Sequence, residues 1–136
     1  MKFFLILILL SSVRPCLLAQ TLTTPESQPI HQASLEQLLA KPQQYDGQLV
    51  QLKGYLHLAY EAHAIYSQQD DVAKHRSKNG LWVRFSVTTT KQQLADCNRT
   101  YVIMAGTFDA QSKGHLGLFG GTLTNITSLT KQLPIK

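Results

Sequence analysis

The sequence predicts a small, mainly β domain: a five-stranded antiparallel barrel with an N-terminal helix and a short helix between its third and fourth strands. Three observations carry this. Val50, Leu52, Leu56 and Leu58 share one parity, while Gln51, Lys53, Tyr55 and His57 share the other. Such alternation marks a strand with one buried face. Leu81, Val83, Phe85 and Val87 alternate in the same way with Trp82, Arg84 and Ser86. YVIMAGTF, 101–108, is apolar on both parities, as suits a central or doubly covered strand.

The elements follow in order. QTLTTPESQP, 20–29, is polar, holds two prolines and has no period, so a flexible leader spans 20–30. The domain then occupies 31–136. Ser34, three residues before Gln37, has the form of a capping box. Leu35, Leu38 and Leu39 make one apolar stripe, and Pro42 stops the helix. Tyr45-Asp46-Gly47 is a turn. QLVQLKGYLHLAY follows as a strand, with Gly54 on its buried parity, where a glycine marks a bulge or bend. EAHAIYSQ returns as a second strand, and the polar QDDVAKHRSKNG, 69–80, is a long connection. GLWVRFSV is the third strand. TTTKQQLADC suits a short helix capped by Thr89 or Thr90, with Leu94 and Cys97 on one side. After the fourth strand, 101–108, DAQSKG is a loop. HLGLFGGTLTNITSL reads as a long last strand, bent by a bulge at Gly120-Gly121 that closes the barrel.

This is the element order of an OB-fold. A small up-and-down β-sandwich is the competitor, and the two helices count against it. A resemblance points the same way. LLAKPQQYDGQLVQLKGYL, with its two leucines, Pro42, Tyr45, Gly47, Val50 and Gly54, resembles the start of small exported bacterial proteins with OB-like domains, a mostly uncharacterised group. YVIMAGTFDAQSKGHLGLFGGTLTNITSL resembles their closing hairpin. The resemblance implies the fold and the cell envelope; it carries over no catalytic residue.

Residues 1–19 read as a secretory signal peptide. Lys2 precedes an unbroken apolar run from Phe3 to Leu10, and Ala19 supplies a small-residue exit. The run is far below the ~20 residues of a membrane helix. A periplasmic or secreted location follows. Cys16 raises a lipid anchor, which Arg14 and Pro15 before it disfavour. With the signal removed, Cys97 is the one thiol left and reads as a buried small hydrophobe. The chain carries 13 basic and 8 acidic residues. Losing Lys2 and Arg14 leaves 11 against 8, a net charge of +3. That balance, together with export, argues against nucleic acid, which favours dense basic stripes.

Chemistry-bearing groups are sparse. His57, Glu61 and His63 flank one turn and are of ligand type for zinc, but their spacing matches no known metal motif. Asp109, Ser112 and His115 fall within one loop, which rarely supplies the convergence of a triad. Gly114, Gly117, Gly120 and Gly121 lack both phosphate-loop spacings, so no cofactor is expected. Asn98-Arg99-Thr100 and Asn125-Ile126-Thr127 match short glycosylation sequons of a kind that also arises by chance.

The informative pattern is the outward parity. Tyr55, His57, Trp82 and Arg84 face away from the predicted core, with His115 at the mouth of the last hairpin. An exposed tryptophan beside an arginine is the composition of a recognition surface. The alternative is that the N-terminal helix covers these residues. The basic run Lys74-His75-Arg76-Ser77-Lys78 adds a candidate for electrostatic steering. The expectation is a non-enzymatic binding module for a protein or glycan partner in the envelope. Two alternatives stand beside it: an immunity or inhibitor protein that caps an exported toxin or hydrolase, and a metal-dependent or histidine-based hydrolase.

Overall fold

The computed structural model describes residues 26–134. The predicted signal peptide, Cys16 and the first part of the leader lie outside the described residues. Residues 26–30 have no regular structure, and Ile30 is exposed. Among the described residues no helix is long and apolar enough to cross a membrane.

The elements are β1 (His31–Gln32), α1 (Leu35–Ala40), α2 (Pro42–Tyr45), β2 (Leu49–Ala59), β3 (Ala62–Tyr66), α3 (Gln69–Ala73), β4 (Gly80–Val83), α4 (Lys91–Cys97), β5 (Thr100–Asp109) and β6 (Thr122–Lys131). Single 3₁₀ turns stand at Ser77–Asn79 and His115–Gly117.

The sheet is mainly β as expected, but it has six strands and is mixed. The expectation of five antiparallel strands is corrected on both counts. β1 adds in parallel to β2, with His31 opposite Val50 and Gln32 opposite Gln51. Two exposed polar residues carry no alternation, so this strand had no pattern to show. β4 runs parallel to β6, pairing Trp82 with Thr122 and Val83 with Leu123. The other pairs are antiparallel. β2 pairs β5 over Leu49–Leu56 and β3 over Tyr55–Ala59. From β3 the pairing passes to β4, then β6, then β5, and so returns to β2.

Gly54 lies where β2 changes partner. A Cβ there would stand 2.7 Å from the Tyr66 carbonyl oxygen. The register runs unbroken through it, so the glycine permits close approach of β3 rather than a bulge. The predicted bulge at Gly120-Gly121 is also corrected. These glycines precede β6 and let Leu39 and the Phe108 ring pack against bare backbone. The register shift lies further on: Ala105 faces Ser128 and Thr107 faces Thr124. Asn125, in the left-handed region at φ 49°, takes up the extra length.

The core gathers one face from every large element: Leu35 and Leu38 of α1, Leu56, Ile65, Leu81, Met104, Phe108 and Leu123. α1 forms as predicted. The Ser34 hydroxyl accepts from the Gln37 N–H, and the Gln37 side chain accepts from the Ser34 N–H. Pro42 does not simply end it: at the first position of α2 its fixed φ and missing N–H start a second turn. Thr90 caps α4 by accepting from the Gln93 N–H. The third strand is shorter than predicted. After the Arg84 N–H donates to Leu123 the chain leaves the sheet, and Val87 ends fully exposed rather than inward.

Candidate functional site

Trp82 is held in β4 between Ala64 of β3 and Thr122 of β6, and its N–H donates to the Gly121 carbonyl at 2.9 Å. Its half-buried side chain joins Ala64, Tyr66, Val72 and Phe119 in a small cluster separate from the main core. The cover over this outer face is therefore α3 and the loop before β6. It is not the N-terminal helix, whose Leu35 and Leu38 belong to the main core.

Three rings surround Trp82. The His63 ring lies 6.2 Å away with its plane 17° off, and the His115 ring 6.2 Å away and 24° off. Phe119 is tilted at 5.3 Å. His63 also meets Phe85 edge-on at 6.3 Å. These spacings suit offset and edge-on contacts. Phe119 is buried, whereas His63 and His115 are exposed.

The loop that brings His115 here is not the strand start that alternation implied. Ser112 to Gly121 is irregular and pinned at several points. Lys113 Nζ donates to the Gly120 carbonyl at 2.8 Å, and the Phe119 N–H donates to Lys113. The Thr122 hydroxyl donates to the Ser112 carbonyl at 2.8 Å. Gly114 rests directly on Trp82. As a result Leu116 and Leu118, expected within the last strand, are 78% and 49% exposed. Leu116 is itself left-handed at φ 55°. His115 Nε2 lies 4.0 Å from Glu61 Oε2, so this loop meets the β2–β3 turn. Tyr60, beside Glu61, is 92% exposed.

Of the predicted surface residues, Trp82 and His115 come together. Arg84 is exposed just beyond the end of β4. Tyr55 does not belong to the surface: it is 7% exposed, edge-on to Tyr101 at 5.3 Å. His57 sits opposite Ala64, half-buried. Burial holds its pKa below the ordinary value, and the nearby Arg99 charge adds to this.

The metal grouping is not assembled. Leu58 is the partner of His63 and Ala64 that of His57, so the two histidines leave the hairpin on opposite parities, and the His63 ring turns, near the start of β3, to lie beside Trp82 and Phe85. Glu61 turns instead toward His115. Among the described residues no three His, Cys, Asp or Glu side chains converge on a metal position. Asp109 accepts from the Gln111 and Ser112 N–H groups, and Ser112 bonds Thr122, so neither engages His115. In the basic run, Lys74 pairs with Asp70 at 2.7 Å and Arg76 lies within ion-pair distance of Asp70 and Asp71. Asn98 accepts from the Leu58 N–H at 2.8 Å, a structural use of the first sequon. Burial raises the Cys97 thiol pKa, with Asp96 adding to it, as suits a buried small hydrophobe.

His63 and Phe119 join Trp82, and Glu61 joins His115, from separate segments of the chain. The pairing that joins them is nonlocal; the one local signal was Gly114 next to His115. Comparison with family models, curated proteins and solved structures gives no match to this chain.

Proposed function

We propose that this chain is an exported, non-enzymatic binding module that recognises a protein or glycan partner in the cell envelope through its Trp82 surface. We read the sheet as an OB-like barrel, with β1 as an accessory strand. The circuit of pairings supports this: counting from β2, the strands meet in the order first, second, third, fifth, fourth, first. α4 lies between the third and fourth of them. OB-folds bind across their second and third strands with help from the first and fourth loops. Here those are β3, β4, the Tyr60–Glu61 turn and the loop that carries His115.

One observation carries the binding reading. Trp82 stands against two exposed, near-parallel imidazoles, whereas packing alone would require only buried neighbours. The test is retention of envelope components by the tagged protein, followed by mass spectrometry. His115→Ala and Arg84→Ala should weaken retention while the melting curve stays unchanged. Retention that ignores both substitutions removes this surface from consideration.

A second reading, an inhibitor that caps an exported hydrolase, draws on the pinned loop. A rigid segment that presents Leu116 to solvent is preorganised for insertion into a partner cleft. That reading requires tight co-purification with one enzyme and loss of its activity, reversed by Leu116→Asp.

A further inference from the structure

We infer that the Trp82 surface takes an uncharged pyranose ring, one sugar unit of a neutral oligosaccharide. This rests on the binding-face reading above and names the ligand class for it. The His63 and His115 planes depart from the Trp82 plane by only 17° and 24°, so each imidazole lies nearly parallel to the indole. At 6.2 Å the rings are offset rather than stacked face to face, so they extend sideways beyond one ring.

A pyranose has an apolar C–H face and a rim of hydroxyls that both donate and accept. The surface supplies the complement. The aromatic rings meet the C–H face. At their edge the exposed Glu61 carboxylate accepts, and the two exposed imidazoles present ring nitrogens for hydrogen bonding.

Charge selects among ligands that stack. Glu61 disfavours a phosphate or a uronate. Single-stranded nucleic acid adds a basic groove to its aromatic platform, but here the face carries Arg84 rather than a basic stripe, and Lys74 and Arg76 already face Asp70 and Asp71. The pinned loop holds the platform before the ligand arrives, which suits a small ligand with few contacts.

Trp82 is the one tryptophan of the chain, so tryptophan emission, excited at the red edge where tyrosine does not absorb, reports on this surface. The full chain is titrated with neutral oligomers of β-1,4-linked glucose and N-acetylglucosamine. Oligogalacturonate and a short oligothymidylate form the anionic arms. Neutral oligomers should give a saturable change in Trp82 emission, and the anionic ones none. Glu61→Gln and His115→Ala should each raise Kd about tenfold, with the melting temperature unchanged. The inference is overturned if no neutral oligomer gives a saturable change up to about 10 mM, or if the anionic arms respond more strongly. Should envelope retention depend on His115 while every sugar fails, the sugar is wrong and the binding face stands. Should retention also ignore Trp82 and His115, both fall.

Discussion

A Cβ built on Gly114 would stand 2.6 Å from the Cβ of Trp82 and 2.7 Å from its Cγ. Gly114 has φ 67° and ψ −155°, a backbone region essentially reserved for glycine. Both terms act together in Gly114→Ala: strain in the loop and a clash with the indole. The substitution should cost about 1–3 kcal/mol and shift Trp82 emission even without ligand. Thermal melts and emission spectra check this. A wild-type melt with an unchanged spectrum would mean that the loop does not rest on Trp82.

Two other glycines separate rigid from yielding contacts. At Gly54 an added methyl meets the Tyr66 carbonyl oxygen at 2.7 Å, and backbone cannot swing aside. At Gly120 it meets the end of the Leu39 side chain, and that side chain can turn. Gly54→Ala should therefore lose about 2–3 kcal/mol and Gly120→Ala closer to 1. Leu39→Ala should restore most of the Gly120→Ala interaction term but none of the Gly54→Ala loss, as read by denaturant melts and a double-mutant cycle.

His57 links stability to pH. Its folded-state pKa is lowered, so the fold favours the neutral imidazole. Well above the ordinary value of 6.5 both states are neutral and the contribution is complete. As pH falls through 6.5 the unfolded chain takes up the proton first, and stability drops until the folded pKa is passed. His57→Gln should flatten that part of the profile. Melting temperatures of both proteins between about pH 8 and pH 5 provide the comparison; parallel curves would exclude the linkage.

Tyr55 and Leu116 should behave oppositely. Tyr55 is buried against Tyr101, so Tyr55→Ala should cost about 3 kcal/mol or more. Leu116 is exposed on a loop tip, so Leu116→Asp should leave stability within about 0.5 kcal/mol. A large loss of stability in Leu116→Asp would show that the leucine is packed rather than presented.

Local rules made part of this fold legible. The Ser34–Gln37 capping box, the alternation of β2 and the Thr90 cap each depend on residues within a few positions of one another. The failures come from contacts between distant segments. His31 and Gln32 form a strand only because β2 offers them an edge. HLGLFGG alternates like a strand, yet the Lys113–Gly120 staple and the Trp82 seat hold it as a loop. Tyr55 has the outward parity of His57, but Tyr101 on β5 covers it. The candidate site was legible to the extent of Trp82 and His115. That His63 and Glu61 join them depends on the β3–β4 pairing and on where one loop lands.

The parallel pairing of β4 with β6 has a kinetic consequence. β4 has only four residues, and this partner is the last strand among the described residues. Until Thr122 and Leu123 arrive, Trp82 and Val83 lack that neighbour and β5 has one side bare. Contacts so far apart in the chain form slowly, because loop-closure entropy is lost before they reward it. During that interval the exposed edges of β4 and β5 are open to strands of other chains. β6 therefore acts as a late fastener, and losses at Leu123 should reduce the yield of folded protein more than the contacts of one leucine would suggest.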